Sequence, residues 1–156
     1  MTHQVRDVNR LLEFEGTLLA HSSSWKAESP RWVEFFLYKT QSGSYVLSRV
    51  GLSLLYHRTT CGVATRNKLK LSDAAGLAKG SEKCPMCQPE AMGTVCAEEP
   101  RYWAQVCPDA QTVVESCWKY DEQGARYYTL VVRRLLDEAS EKDKAIEGAY
   151  LVEYVE

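Results

Sequence analysis

At 156 residues and 45% hydrophobic side chains, the chain suits one domain with a real core. No apolar run approaches the roughly 20 residues that a bilayer crossing needs, and Arg6, Asp7, Arg10, Glu13 and Glu15 interrupt the N-terminus where a signal peptide would be continuous. A cytoplasmic protein with no membrane partner is therefore expected. The net charge of −2 is unevenly spread: residues 58–87 carry six basic side chains against two acidic, and residues 88–156 carry seven against fourteen.

In chain order, Leu11–Ala20 reads as a strand with a bulge at Gly16, followed by a polar loop over His21–Pro30. The aromatic and β-branched run Arg31–Thr40 reads as a well-buried strand. Gln41–Gly43 offers a short turn whose glycine suits a left-handed conformation, and Ser44–His57 continues the sheet. Three or four antiparallel strands over residues 11–57 are predicted.

Beyond them, Ser72 and Asp73 suit the start of a short helix and Gly80 its stop. Gln88–Pro100 reads as a connection, and Thr112–Tyr128 as a strand leading to a turn at Asp121–Gly124. Tyr128, Val131, Val132, Leu135, Leu136 and Ala139 form the apolar stripe of one long helix, with Arg133, Arg134, Asp137 and Glu138 opposite. Ser140–Asp143 resembles a capping box, and Ala149–Val155 a closing strand. The predicted fold is α+β: an N-terminal antiparallel sheet, then C-terminal strands with one long amphipathic helix. It forms a single domain over residues 1–156, with a small metal module embedded at 53–89.

That module rests on the cysteines. Six cysteines in a chain without an export signal argue against a disulfide framework, because cytosolic thiols are kept reduced. His57 and Cys61 form an H-x3-C pair, Cys84 and Cys87 a C-x2-C pair, and 22 residues separate the two. Zinc takes four tetrahedral ligands from thiolates and imidazoles, and a C-x2-C turn converges two sulfurs on one point. A redox pair is the rival reading of Cys84-Pro85-Met86-Cys87. It needs a preceding strand and a following helix to lower the nucleophile's pKa, and Pro89 comes too early for that helix. The plain alternative is a histidine at a strand end and small buried cysteines.

The segments "LLYHRTTCGVA" and "LSDAAGLAKGSEKCPMCQP" resemble the small zinc-binding module of the Ada DNA methyl-repair family, over about residues 53–89. The resemblance implies zinc ligands at His57, Cys61, Cys84 and Cys87. In that family a zinc-bound cysteine accepts a methyl group from a DNA phosphotriester. Here histidine stands where the family has a fourth cysteine, so the zinc complex carries a charge of about −1 rather than about −2 and its sulfurs are weaker nucleophiles. A structural zinc is therefore expected. Residues 58–83 hold few large apolar side chains, and a metal can contribute on the order of 10 kcal/mol to ordering such a segment.

The functional expectation is a non-enzymatic binding protein. Arg58, Arg66, Lys68, Lys70, Lys79 and Lys83 are the candidate contacts to nucleic acid. Alternatives are a small regulator or inhibitor that binds a protein partner, as mobile elements encode, and a zinc-thiolate transfer or redox enzyme. Hydrolysis would need an open zinc position, which four protein ligands close. His21 reads as a solvated loop residue, Cys117 as core, and Cys96 and Cys107 have no ligand spacing. The four tryptophans read as large core residues with one wet edge, and Arg133 and Arg134 as solvent-exposed.

Overall fold

The computed structural model describes residues 1–26, 31–58, 82–83, 93–97 and 100–151, with 54–58, 82–83 and 93–97 described as backbone. Strand β1 spans Thr2–Asp7, β2 Arg10–Ser23, β3 Arg31–Thr40 and β4 Tyr45–Arg58. Short β5 (Glu82–Lys83) and β6 (Gly93–Ala97) precede β7 (Arg101–Cys107). Then come helix α1 (Ala110–Ser116), the two-residue strands β8 (Lys119–Tyr120) and β9 (Arg126–Tyr127), and helices α2 (Leu130–Lys142) and α3 (Lys144–Leu151). The chain divides into two compact units. One comprises Met1–Ser24, Glu34–Arg49 and Tyr102–Glu156, the other Trp25–Val33 and Val50–Arg101.

In the first unit the strands follow the order β1-β2-β3-β4, and β7 pairs with β4. The sheet curls until its ends meet. The Val8 N–H donates to the Tyr102 carbonyl at 3.0 Å, and the Ala104 N–H to the Asp7 carboxylate at 3.1 Å. Inside the curl, Val5, Val46 and Ala104 form a buried cluster with Leu12, Phe14 and Tyr38 against it. These residues come from strands β1, β2, β3, β4 and β7, so the cluster ties the curl together from within.

The sheet's other face carries Lys39 and Tyr45, both of which reach Asp143 between α2 and α3. Leu37 and Leu47, two residues along their strands on that face, are fully buried. Helix α2 lies against β2, and buries Val131, Val132, Leu135, Leu136 and Ala139.

Two turns show how local chemistry shapes the curl. Gly43 has φ of 95°, as the sequence predicts for the β3–β4 loop. The β1–β2 turn is different: Val8 has φ of 53°, a conformation that a β-branched side chain resists, and its side chain is 62% exposed. Val8→Gly keeps the Val8 N–H and removes the strain, so it should stabilise the protein by about 1 kcal/mol. Thermal unfolding checks this, and an unchanged or lower melting temperature would contradict a strained turn.

Several sequence expectations are corrected. The α+β layout with C-terminal strands and a single long helix is overturned: among the described residues the fold is mostly β, and the helical residues lie in three short helices. Thr112–Cys117 looks strand-like because of its valines, yet it lies in α1 and its C-cap. Asp109 caps that helix by accepting from the Thr112 N–H at 2.8 Å and its hydroxyl at 2.7 Å. Ala110, Val113, Val114 and Cys117 bury one helical stripe, so the 3.6-residue period outweighs β propensity here.

Ala149–Leu151, read as the start of a closing strand, ends α3, and residues 152–156 lie outside the described residues. Ser140 starts no helix. It sits within α2 and donates to the Leu136 carbonyl at 2.7 Å. The bulge falls between Leu18 and Ala20 rather than at Gly16. Gly16 is needed for a different reason, since a Cβ there would meet the Lys39 carbonyl. Trp25 and Trp103 are not core residues, at 51% and 38% exposed, whereas Trp32 and Trp118 are half-buried.

Candidate functional site

The candidate metal segment belongs to the second unit, and its frame is backbone pairing. Strand β4 runs through His57 to Arg58, and β6 pairs with it antiparallel, placing His57 opposite Thr94 and Leu55 opposite Cys96. Strand β5 pairs with β4 in parallel, Leu55 with Glu82 and Tyr56 with Lys83. A parallel pair needs a long crossover, and residues 59–81 supply its length.

This register has a consequence for the two predicted pairs of ligands. Lys83 lies beside Tyr56, the neighbour of His57, and Lys83 is covalently followed by Cys84. The strand entering the C-x2-C pair and the strand carrying the histidine thus run side by side in the same direction. Of the predicted ligands, His57 is on β4, whereas Cys61, Cys84 and Cys87 lie outside the described residues. Of the predicted basic contacts, Arg58 is the last residue of β4 and Lys83 the last of β5. Arg66, Lys68, Lys70 and Lys79 lie outside the described residues. Among the described residues no group of three or more His, Cys, Asp or Glu could hold a metal.

Compared with known proteins, the chain matches no family model, no curated protein and no solved structure.

The remaining reactive side chains of the first unit have structural explanations. His21 is not in a loop. It lies on β2, pairs through Nε2 with the Glu34 carboxylate at 3.1 Å and stacks on Phe36 with ring centroids 4.5 Å apart. His3 meets the Gly16 carbonyl at 3.1 Å and touches the rings of Phe14 and Tyr38. Cys107 and Cys117 are free and buried. Burial pushes the Cys117 thiol up to about 12, with nearby Cys107 adding to the effect, so at neutral pH it is a protonated core residue. Burial likewise raises the Cys107 thiol, against a hydrogen bond from Ser116 that lowers it. Neither thiol is poised as a nucleophile.

The buried polar centre of this unit is Asp143, the last residue of the Ser140–Asp143 capping-box pattern. Its carboxylate accepts from the Tyr45 hydroxyl at 2.9 Å and from Lys39 Nζ at 3.1 Å. It also caps α3, accepting from the Ala145 N–H at 2.9 Å. Burial works to raise its pKa, but the Tyr45, Lys39 and Ala145 hydrogen bonds outweigh that and hold it below the ordinary carboxylate value. The Tyr45 phenol is pushed far up, by burial first and by its bond to Asp143 second. A single aspartate before "KAI" gives little hint of this role in sequence, because both sheet partners lie about a hundred residues earlier.

A further aromatic cluster surrounds β8 and β9. Arg126 lies over the Trp118 ring at 3.9 Å, and the Trp118 indole N–H donates to the Tyr128 hydroxyl at 2.9 Å. Tyr128 meets Tyr150 edge-on at 5.5 Å, which holds the hairpin to α3.

Proposed function

We propose that the protein is a non-enzymatic binding module whose second unit is closed by one structural zinc ion. His57, Cys61, Cys84 and Cys87 hold the ion, and the basic residues between 58 and 83 contact nucleic acid. The observation that carries this reading is the parallel pairing of Leu55–Tyr56 with Glu82–Lys83. It supports convergence of two ligand pairs that are 22 residues apart in sequence, and it brings Arg58 and Lys83 onto neighbouring strands. Three thiolates and one imidazole are a good donor set for a closed tetrahedral zinc. That closure disfavours hydrolysis and methyl transfer, and favours a rigid frame for the six basic side chains at positions 58, 66, 68, 70, 79 and 83.

Two measurements test the reading. Elemental analysis of the purified chain should return one zinc per molecule. Fluorescence anisotropy with a 20-nucleotide single strand and its duplex should give an affinity that falls about a thousandfold between 50 and 200 mM salt, as six phosphate contacts require. Affinity that ignores salt would remove nucleic acid as the partner.

A further inference from the structure

Strand β2 changes neighbours along its length. Residues Arg10–Glu15 pair with β1, and Gly16–Ser23 pair with β3. The hydrogen bonds show which way each backbone group points. The Gly16 N–H donates towards β1, to the Met1 carbonyl at 3.0 Å, whereas the Glu15 carbonyl accepts from the other side, from the Gln41 N–H at 2.8 Å. Since strand geometry alternates, the N–H and C=O of Leu11 and Glu13 point to the same side as the Glu15 carbonyl. There β3 would have to continue, but the chain leaves at Gln41 for the β3–β4 turn. No described strand pairs with that edge.

A groove of about 700 Å³ lies along it. Its apolar lining includes Leu12, Phe14, Val46 and the 53%-exposed Val106, and its far wall is the β3–β4 turn. Among the described residues its charged lining consists of two carboxylates, Glu13 and Glu15, of which Glu15 pairs with the N-terminal ammonium at 3.4 Å.

We propose that this edge of β2 is a docking site for an extended peptide from a partner protein. The peptide adds a strand beside Leu11–Glu13, sets apolar side chains over Leu12, Phe14 and Val46, and sets lysine or arginine side chains beside Glu13. Three observations select this occupant. Open main-chain groups recognise a strand, because its N–H and C=O groups match theirs. The alternation of β2 puts Leu12 and Phe14 on one face and Glu13 and Glu15 on the other, so the guest must alternate as well. Glu13, which accepts from the neutral Gln4 amide at 3.1 Å while Glu15 pairs with the N-terminal ammonium, selects a cationic guest over an anionic one. The site lies wholly within the first unit and does not rest on the zinc reading.

The test uses the full chain and a fluorescent, end-capped hexapeptide of alternating lysine and valine. Saturable binding is expected, with no binding of the same peptide N-methylated on the residues that face the edge. An alternating glutamate and valine peptide should bind at least tenfold more weakly. Leu11→Pro removes one outward N–H while leaving the β1 pairs intact, and should weaken binding roughly tenfold. Glu13→Lys should weaken binding of the lysine peptide and improve that of the glutamate peptide. Should Leu11→Pro fail to fold, the N-methylated peptide decides the question on the unaltered protein. Absence of saturable binding, binding that tolerates N-methylation, or equal affinity for both peptides would overturn the proposal. So would concentration-dependent self-association abolished by Leu11→Pro, which would make a second copy the occupant.

Discussion

His57→Ala and Cys84→Ser are each expected to reduce bound zinc from one per chain to none. Removing either ligand opens the tetrahedral set, and the apparent free energy of such a site is on the order of 10 kcal/mol. Residues 58–83 cannot replace that with burial, because polar and basic side chains dominate the segment. The result should be local. Trypsin cuts after lysine and arginine, and six such residues lie between 58 and 83. Cleavage there should accelerate at least tenfold in either variant, while near-ultraviolet signals from the first unit, including Trp103 and Trp118, persist. Addition of a strong chelator to the unaltered protein should have the same effect. A chain that purifies without metal, and whose cleavage by trypsin ignores the chelator, would remove the zinc and the function built on it.

The second large effect concerns Asp143. Asp143→Ala deletes a helix cap and two sheet contacts, and leaves the buried Tyr45 hydroxyl without its acceptor. A cap is worth about 1 kcal/mol, and a hydrogen bond to a buried carboxylate about 1.5 to 3. We expect about 3 kcal/mol of destabilisation, a fall in melting temperature on the order of 8 °C for a chain of this size. Asp143→Asn keeps the cap and an oxygen for Tyr45, loses the charge facing Lys39, and should cost about 1 kcal/mol.

The pair of variants also predicts a pH dependence. The folded pKa of Asp143 is lowered, so its contribution is present at neutral pH and fades as pH falls through the folded value, below the ordinary carboxylate range. In Asp143→Asn that part of the acid loss should be absent. Acid unfolding curves with identical shape for the two proteins would show that Asp143 carries none of it.

Much of the first unit was legible because its signals are local. The strand at 31–40 (of which only Leu37 is buried, not the whole run as its composition suggests), the left-handed glycine in the following turn and the buried stripe of α2 each depend on neighbours within a few residues. Strand β1 was missed: it has six residues with only Val5 fully buried, too little alternation to stand out. The α1 valines were misread because a short helix and a short buried strand share an apolar run, and only the Asp109 cap separates them.

For the candidate site, the chain's own pattern determines which residues have ligand chemistry, because thiolate, imidazole and their spacing are written residue by residue. It likewise determines where the basic side chains concentrate. Tertiary structure alone decided the parallel β4–β5 register, the edge at Leu11–Glu13 that no described strand pairs with, and the union of Lys39, Tyr45 and Asp143. Each of these joins groups distant along the chain or depends on where a strand ends. Such outcomes follow from how a twisted sheet curls and where its strands stop, and no local preference of a side chain encodes them.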